Sequence, residues 1–252
     1  MKMNISDADI EVLADAAAIG RRVREIFVTD ASEAIAERGR FFVAVSGGKS
    51  PEAFFSELGQ SVESLSLDWD RVRLLWVDER CVGLDSKDSN YRLASEAFRK
   101  KVGIPDGCVF RIRGEGPDHE AEARRYEAAL GEAFGLDPAK KRPRFDLIVM
   151  GMGADGHTAS LFPGSEVVNE RQRLVRFVPQ SGKRLARITL TPPALLAARR
   201  LIVLVSGSDK AQVLHQVLTQ EPDTSRWPVQ LLLAARERAR WLVDKDAAGL
   251  LR

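Results

Sequence analysis

The amino-acid sequence predicts an α/β fold, a single three-layer α/β/α domain over residues 1–252 built on a mostly parallel, Rossmann-like sheet. Three observations predict it. Short apolar runs without polar alternation recur along the chain, as strands buried on both faces read. Amphipathic or charged stretches of helix length separate them, and strand–helix alternation of this kind gives a parallel sheet with both faces covered. No internal repeat or low-complexity linker interrupts the pattern, and the loop-like stretch Gly103–Pro117 is too short to separate two units.

Taken in order, Ile10–Leu13 reads as a short edge strand. Asp15 can cap a long helix in which Ile19, Val23, Ile26, Phe27 and Ala34 share one face and Gly39 supplies the stop. Phe41–Val45 is a buried strand that breaks at Ser46-Gly47-Gly48, and Pro51 suits the first position of a helix running to Leu58. Val72–Val77 is the next buried strand and ends in Asp78-Glu79-Arg80. A helix from about Ser89 to Lys101 and a charged amphipathic helix over Gly116–Phe134 follow. Phe145–Met150 is a third buried strand, stopping at Gly151, and Thr158–Phe162 reads as the start of a further helix. Leu174–Val178 and Arg187–Leu190 are shorter strands, and Pro192–Ala198 is a helix. Leu201–Val205 is a strand closing on Ser206-Gly207, Asp209 to about Leu218 a helix, and Trp241–Val243 the last strand.

Composition narrows the functional classes. The chain has 38 basic and 36 acidic residues and a net charge of +2, without the clustered basic excess of a general nucleic-acid binder. A small anionic substrate, which needs only two or three well-placed cations, is compatible with that balance. No apolar run approaches the ~20 residues of a membrane span, so no membrane partner is expected. Met1–Ile10 lacks the layout of a signal peptide, and a cytoplasmic location follows by default. Cys81 and Cys108 are read as free thiols of a reducing compartment, being far apart and in no CxxC pattern. No two histidines or cysteines have ligand spacing, so no metal is expected. A monomer is compatible with everything in the sequence.

Open α/β sheets bind ligands at the carboxyl ends of their strands, and four polar clusters stand there. Ser46-Gly47-Gly48-Lys49 has the parts of an anion nest: glycines that let backbone N–H groups approach a ligand and a helix start behind them. A tight β–α turn that needed glycine is an equally good account of that loop alone. Lys210 stands in the first turn of its helix, against the dipole preference, which fits a lysine reaching for an anion. Asp78 and Arg80 can share one side of a strand end with Glu79 turned away, and a structural ion pair is the plain alternative. The most specific cluster is Gly151–His157. Its three glycines leave room for a substrate around Asp155 and His157, and a helix beginning at Thr158 would keep His157 neutral and basic. His119 and His215 have no such setting and read as structural or surface residues.

With these clusters in order, the sequence resembles the 6-phosphogluconolactonases, of the same superfamily as glucosamine-6-phosphate deaminase. The resemblance rests on FVAVSGGKSPEAFF (41–54), LLWVDERCVGLDSKDSNYRLASEAF (74–98), FDLIVMGMGADGHTASLFPGS (145–165), ARITLTPPALLAARRLIVLVSGSDKA (186–211) and WLVDKDAA (241–248), about half the chain. It implies a deaminase-type fold and hydrolysis of 6-phospho-D-glucono-1,5-lactone, with a phosphorylated sugar lactone as partner and no cofactor. It also implies His157 as catalytic base. Ser46, Gly47, Gly48, Arg187 and Lys210 are implied as phosphate-binding elements and Arg80 as a substrate contact. Lys49 departs from the usual motif and adds a further cation beside the phosphate loop. For Asp155, orienting His157 and stabilising its charged form both remain open. The corresponding deaminase segment reads like DGHIAFNEP; its glutamate is replaced here by Phe162, which favours the lactonase over the deaminase. A non-catalytic sugar-phosphate sensor is the other competitor, and no helix-turn-helix precedes Ile10 to support it.

Overall fold

The computed structural model describes residues 8–61, 67–135 and 143–251; residues 1–7 of the Met1–Ile10 stretch, read as lacking a signal-peptide layout, lie outside them. Strand β1 (Asp9–Leu13) leads into helix α1 (Ala16–Arg38). The Asp15 carboxylate accepts from the Ala18 N–H at 2.7 Å, and Gly39 ends the helix at φ 75°, the conformation in which glycine escapes the Cβ clash. The expected face of α1 is buried, and Phe27 packs edge-on against Phe41 at 5.2 Å. Strand β2 (Phe41–Val45) is followed by α2 (Lys49–Gln60), which starts two residues earlier than expected. N–H groups of a first helical turn have no intrahelical partner, so Pro51 fits there as its third residue.

The predicted strand Val72–Val77 stops one residue early, and the Asp78-Glu79-Arg80 segment that closes it is a strand of its own. β3 (Val72–Trp76) belongs to the main sheet and β4 (Asp78–Arg80) to another. Val77 is the crossing point: its N–H donates to Val45 O at 3.0 Å while its own carbonyl accepts from Leu190 N at 2.7 Å. The helix expected from Ser89 is α3 (Asn90–Ala94), a π turn over Ser95–Arg99 and α4 (Lys100–Val102), with the Ser89 hydroxyl as its cap. Then come β5 (Val109–Phe110), α5 (His119–Phe134), β6 (Leu147–Gly151), β7 (Val175–Val178), β8 (Arg187–Leu190), α6 (Pro192–Leu196), β9 (Arg200–Val205), α7 (Ala211–Thr219) and β10 (Ala239–Asp244). A 3₁₀ helix over Pro228–Arg238, kinked at Arg236, was not foreseen.

The main sheet has seven strands, all parallel, in the order β1-β10-β9-β6-β2-β3-β5. The two short strands expected near residues 175 and 188 do not join it; β4, β8 and β7 form a separate antiparallel sheet. From β2 the chain winds outward to β3 and β5, whereas from β6 it winds the other way to β9 and β10. The direction therefore reverses between β2 and β6, and the crevice outside their carboxyl ends is where such sheets hold ligands.

The helix expected at Thr158–Phe162 is absent, and with it the helix-dipole argument for His157. The Thr158 hydroxyl donates to Gly151 O at 2.9 Å, and Gly153 N donates to His157 O at 2.8 Å, folding the segment back on the glycine loop. Ala159 sits at φ 51°, which no right-handed helix can absorb, and Pro163 biases Phe162 away from the helical region.

Candidate active site

Both loops at the reversal point enter one cavity of about 400 Å³. From β2 come Ser46, Gly47, Gly48 and Lys49. No side chain caps α2, because Gly48 has none and sits at φ 103°, so the first-turn N–H groups stand without a side-chain partner. Gly47 is a matter of space: a Cβ there would fall 1.9 Å from Asn90 Oδ1, and the Asn90 amide donates to Asp78 O at 2.8 Å.

From β6 comes the loop that carries His157. Here the sequence-based account of the glycines needs correction. A Cβ on Gly153 would lie 2.0 Å from His157 Nδ1, so this glycine makes room for the histidine ring itself. Asp155 Oδ1 accepts from the His157 backbone N–H at 3.1 Å and is hydrogen-bonded to His157 Nδ1. Burial pulls the Asp155 carboxyl upward, but the hydrogen bond and charge of His157 outweigh it and bring it down to about 2. An ionised carboxylate only accepts, so Nδ1 donates its proton to Asp155 and Nε2 is the ring nitrogen left to exchange a proton. The helix dipole expected to keep the ring neutral is absent, and it is Asp155 that holds Nδ1 and so orients the ring. Phe162 packs on the His157 ring at 4.8 Å between centroids, and the Arg184 guanidinium lies 4.0 Å from the centre of the Phe162 ring.

The third group is cationic. Lys210, just before α7, donates from Nζ to Met152 O at 2.6 Å, so it also holds the histidine loop. Burial draws Lys210 below its usual range, Asp209 and Asp244 oppose this, and Lys49 adds to it. On the small sheet, Arg80 and Arg187 stand directly opposite each other across β4 and β8. Like charges so placed repel, and burial draws Arg187 down further, with Asp78 opposing and Arg80 adding. Nε of each arginine is buried without a partner. Two cation pairs that cost free energy when empty are what a dianionic ligand would relieve. Glu79 turns away as expected, its carboxylate accepting from Asn90 and Tyr91 N–H at 2.7 Å each and from the Ser89 hydroxyl at 3.0 Å.

The cavity therefore gathers Ser46, Gly47, Gly48, Lys49, Asp78, Arg80, His157, Arg187 and Lys210, with Asp155 behind the histidine. His119 and His215 stand outside it, and Cys81 and Cys108 are free thiols. Three supporting residues escaped the sequence reading as site members. Asn90 falls at the start of the helix expected from Ser89, yet it spans Gly47 and Asp78. Asp244 accepts from the Ser206 hydroxyl and the Gly207 N–H, fixing the turn before Lys210. Ser160, wholly buried, donates to Asp78. Asp244 had one signal, a carboxylate at the end of an apolar strand. Among the described residues no His, Cys, Asp and Glu gather as a metal-ligand set, and no helix is long and apolar enough to cross a membrane.

Residues 14–241 match the family described as glucosamine-6-phosphate isomerases/6-phosphogluconolactonase. A Synechocystis sp. protein named 6-phosphogluconolactonase is 33% identical over 243 residues, 96% of this chain and 98% of that one. The chloroplastic 6-phosphogluconolactonase 3 of Arabidopsis thaliana is 37% identical over 89% of this chain and 70% of its own. The solved 6-phosphogluconolactonase from Trypanosoma cruzi superposes with a TM-score of 0.85 at 26% identity, over 99% of this chain and 98% of that chain. A monomeric glucosamine-6-phosphate deaminase, at 19% identity and a TM-score of 0.80 over 96% of this chain and 99% of its own, shares the fold. Along nearly its whole length the chain belongs to the glucosamine-6-phosphate isomerase/6-phosphogluconolactonase family.

Proposed function

We propose that this chain hydrolyses 6-phospho-D-glucono-1,5-lactone to 6-phospho-D-gluconate, the second step of the oxidative pentose phosphate pathway, with His157 as general base. The observation that carries this reading is a histidine held by an ionised carboxylate in the same cavity as two repelling pairs of cations. Lys210, Arg187 and the Ser46–Lys49 loop take the phosphate. Nε2 of His157 accepts a proton from a water that attacks C1, a contribution worth ~10²–10⁴ in rate. The tetrahedral oxyanion takes hydrogen bonds from Arg80 or a glycine-loop N–H. As the C1–ring-oxygen bond breaks, the imidazolium returns its proton to the departing oxygen, giving the free acid and a neutral histidine. Asp155 orients the ring and offsets the charge it carries in between.

The deaminase alternative needs a second acid–base group beside the histidine. Phe162 occupies that place, 4% exposed and packed on the ring, and cannot move a proton. The test is acid release from freshly generated 6-phosphogluconolactone, run beside an ammonia assay on glucosamine 6-phosphate. Lactone opening well above the spontaneous rate with no ammonia is expected. Ammonia release at a comparable rate, or no acceleration of opening, would sink the proposal.

A further inference from the structure

Asp78 is the buried carboxylate beneath the two arginines, 5% exposed, and its oxygens are served differently. Oδ1 accepts from the Ser46 hydroxyl at 3.1 Å and stands 3.5 Å from the Asn90 amide nitrogen. Oδ2 accepts from the Ser160 hydroxyl at 2.7 Å, while Arg187 Nη1 stops 3.9 Å away. Buried guanidinium–carboxylate pairs ordinarily close to about 2.7–2.9 Å, so this pair is held open by roughly an ångström. Among the described residues the Arg187 Nε has no partner, although it is buried.

Ser160 is placed for this job from behind. Its N–H donates to Thr189 Oγ1 at 3.1 Å, and Thr189 pairs with Asp78 across β4 and β8. The left-handed Ala159 turns the chain so that Ala159 lines the cavity while Ser160, wholly buried, faces the carboxylate.

We infer that Ser160 is a positioning residue acting through Asp78: its hydroxyl occupies the carboxylate oxygen that Arg187 would otherwise take, which leaves the guanidinium open to the substrate's phosphate. Without that hydroxyl, Oδ2 is a buried acceptor lacking a donor, an unfavourable state that the nearest guanidinium relieves by closing the gap. The cation is then spent inside the protein. The inference rests on the phosphosugar reading of the cavity.

Calorimetric titration with inorganic phosphate tests it independently of turnover. Ser160→Ala is expected to weaken phosphate binding about tenfold, and to raise KM for the lactone with kcat within about twofold of wild type. In the Asp78→Asn background, where no carboxylate can capture Arg187, the same change should matter less than about twofold. Unchanged phosphate affinity, or an equal loss in both backgrounds as simple loosening of the loop would give, overturns the inference. If Ser160→Ala does not fold, Asp78→Asn alone decides: phosphate affinity should hold or tighten, and a loss of about tenfold refutes the idea. Absence of lactone turnover by the wild-type protein would strike the proposed reaction and leave the phosphate titration to judge Ser160.

Discussion

A methyl group added at Gly153 meets the histidine ring head on: its carbon falls 2.0 Å from Nδ1, 2.1 Å from Cε1 and 2.7 Å from Asp155 Oδ1. Ordinary contact begins near 3.4 Å, so the ring must retreat by roughly 1.4 Å. Gly153 is not among the glycines at positive φ, so its backbone accepts alanine, and what yields is the end of one side chain. Gly153→Ala should therefore fold and melt like the wild type. A displacement of about 1 Å at a catalytic group is worth ~10²-fold in rate, so kcat should fall about a hundredfold, or ~2.7 kcal/mol of barrier. The assay is pH-stat measurement of acid release from fresh lactone, subtracting spontaneous opening, with a circular-dichroism melt on the same preparation. A kcat within about threefold of wild type in a normally folded variant would refute the assignment of His157, or the role of the glycine in seating it.

His157→Ala should lower kcat and kcat/KM together while product affinity stays near normal; a folded variant with near-normal kcat would falsify the base assignment. Arg187→Ala should mainly raise KM, with a loss of ~2–5 kcal/mol in phosphate binding. Lys210→Ala should depress kcat as well, because its Nζ also holds Met152 O of the histidine loop. Indistinguishable kinetic signatures for the two variants would contradict that difference. Asp30, 7% exposed on α1, is pushed by burial up to about 6 from 3.8, with Arg200 partly opposing. A carboxyl raised on folding stabilises below its unfolded value and loses that stabilisation as pH climbs through about 6. Asp30→Asn should accordingly stabilise by up to ~3 kcal/mol at pH 7.5 and by almost nothing near pH 3.5; urea midpoints shifted equally at both pH values would contradict this.

What the sequence disclosed and what it hid divide along chain distance. Phe41–Val45, Val72–Trp76 and Leu147–Gly151 were legible because burial on both faces writes a continuous apolar run, a local signal. The clusters closing those strands were legible for the same reason, and they meet in the cavity. Hidden were the features decided by remote partners. The helix expected at Thr158–Phe162 gave way to a fold-back on the glycine loop, which a hydroxyl bond reaching 82 residues back to Asp78 holds in place. The change of sheet at Val77 depends on Leu190, and the role of Asp244 depends on Ser206, 38 residues away. Gly153 shows a subtler limit: three glycines in six residues announced that space was needed, but not that the histidine ring would occupy it.

The passage of the chain from one sheet to the other at Val77 bears on how selectivity can change in this family. Lys49, Lys210 and His157 project from the ends of the parallel sheet, whereas Arg80 and Arg187 project from the small antiparallel one. The cavity is thus a caliper with one jaw on each sheet, and a single residue, Val77, is its pivot, its N–H bonded to Val45 and its carbonyl to Leu190. Its opening is set by those main-chain hydrogen bonds together with the buried Ser46 and Ser160 hydroxyls, which both donate to Asp78. The β7–β8 side of the caliper also reaches the histidine, because Arg184 lies on the Phe162 ring that packs on His157, so a change in the reach of the arginine jaw is felt at the base as well.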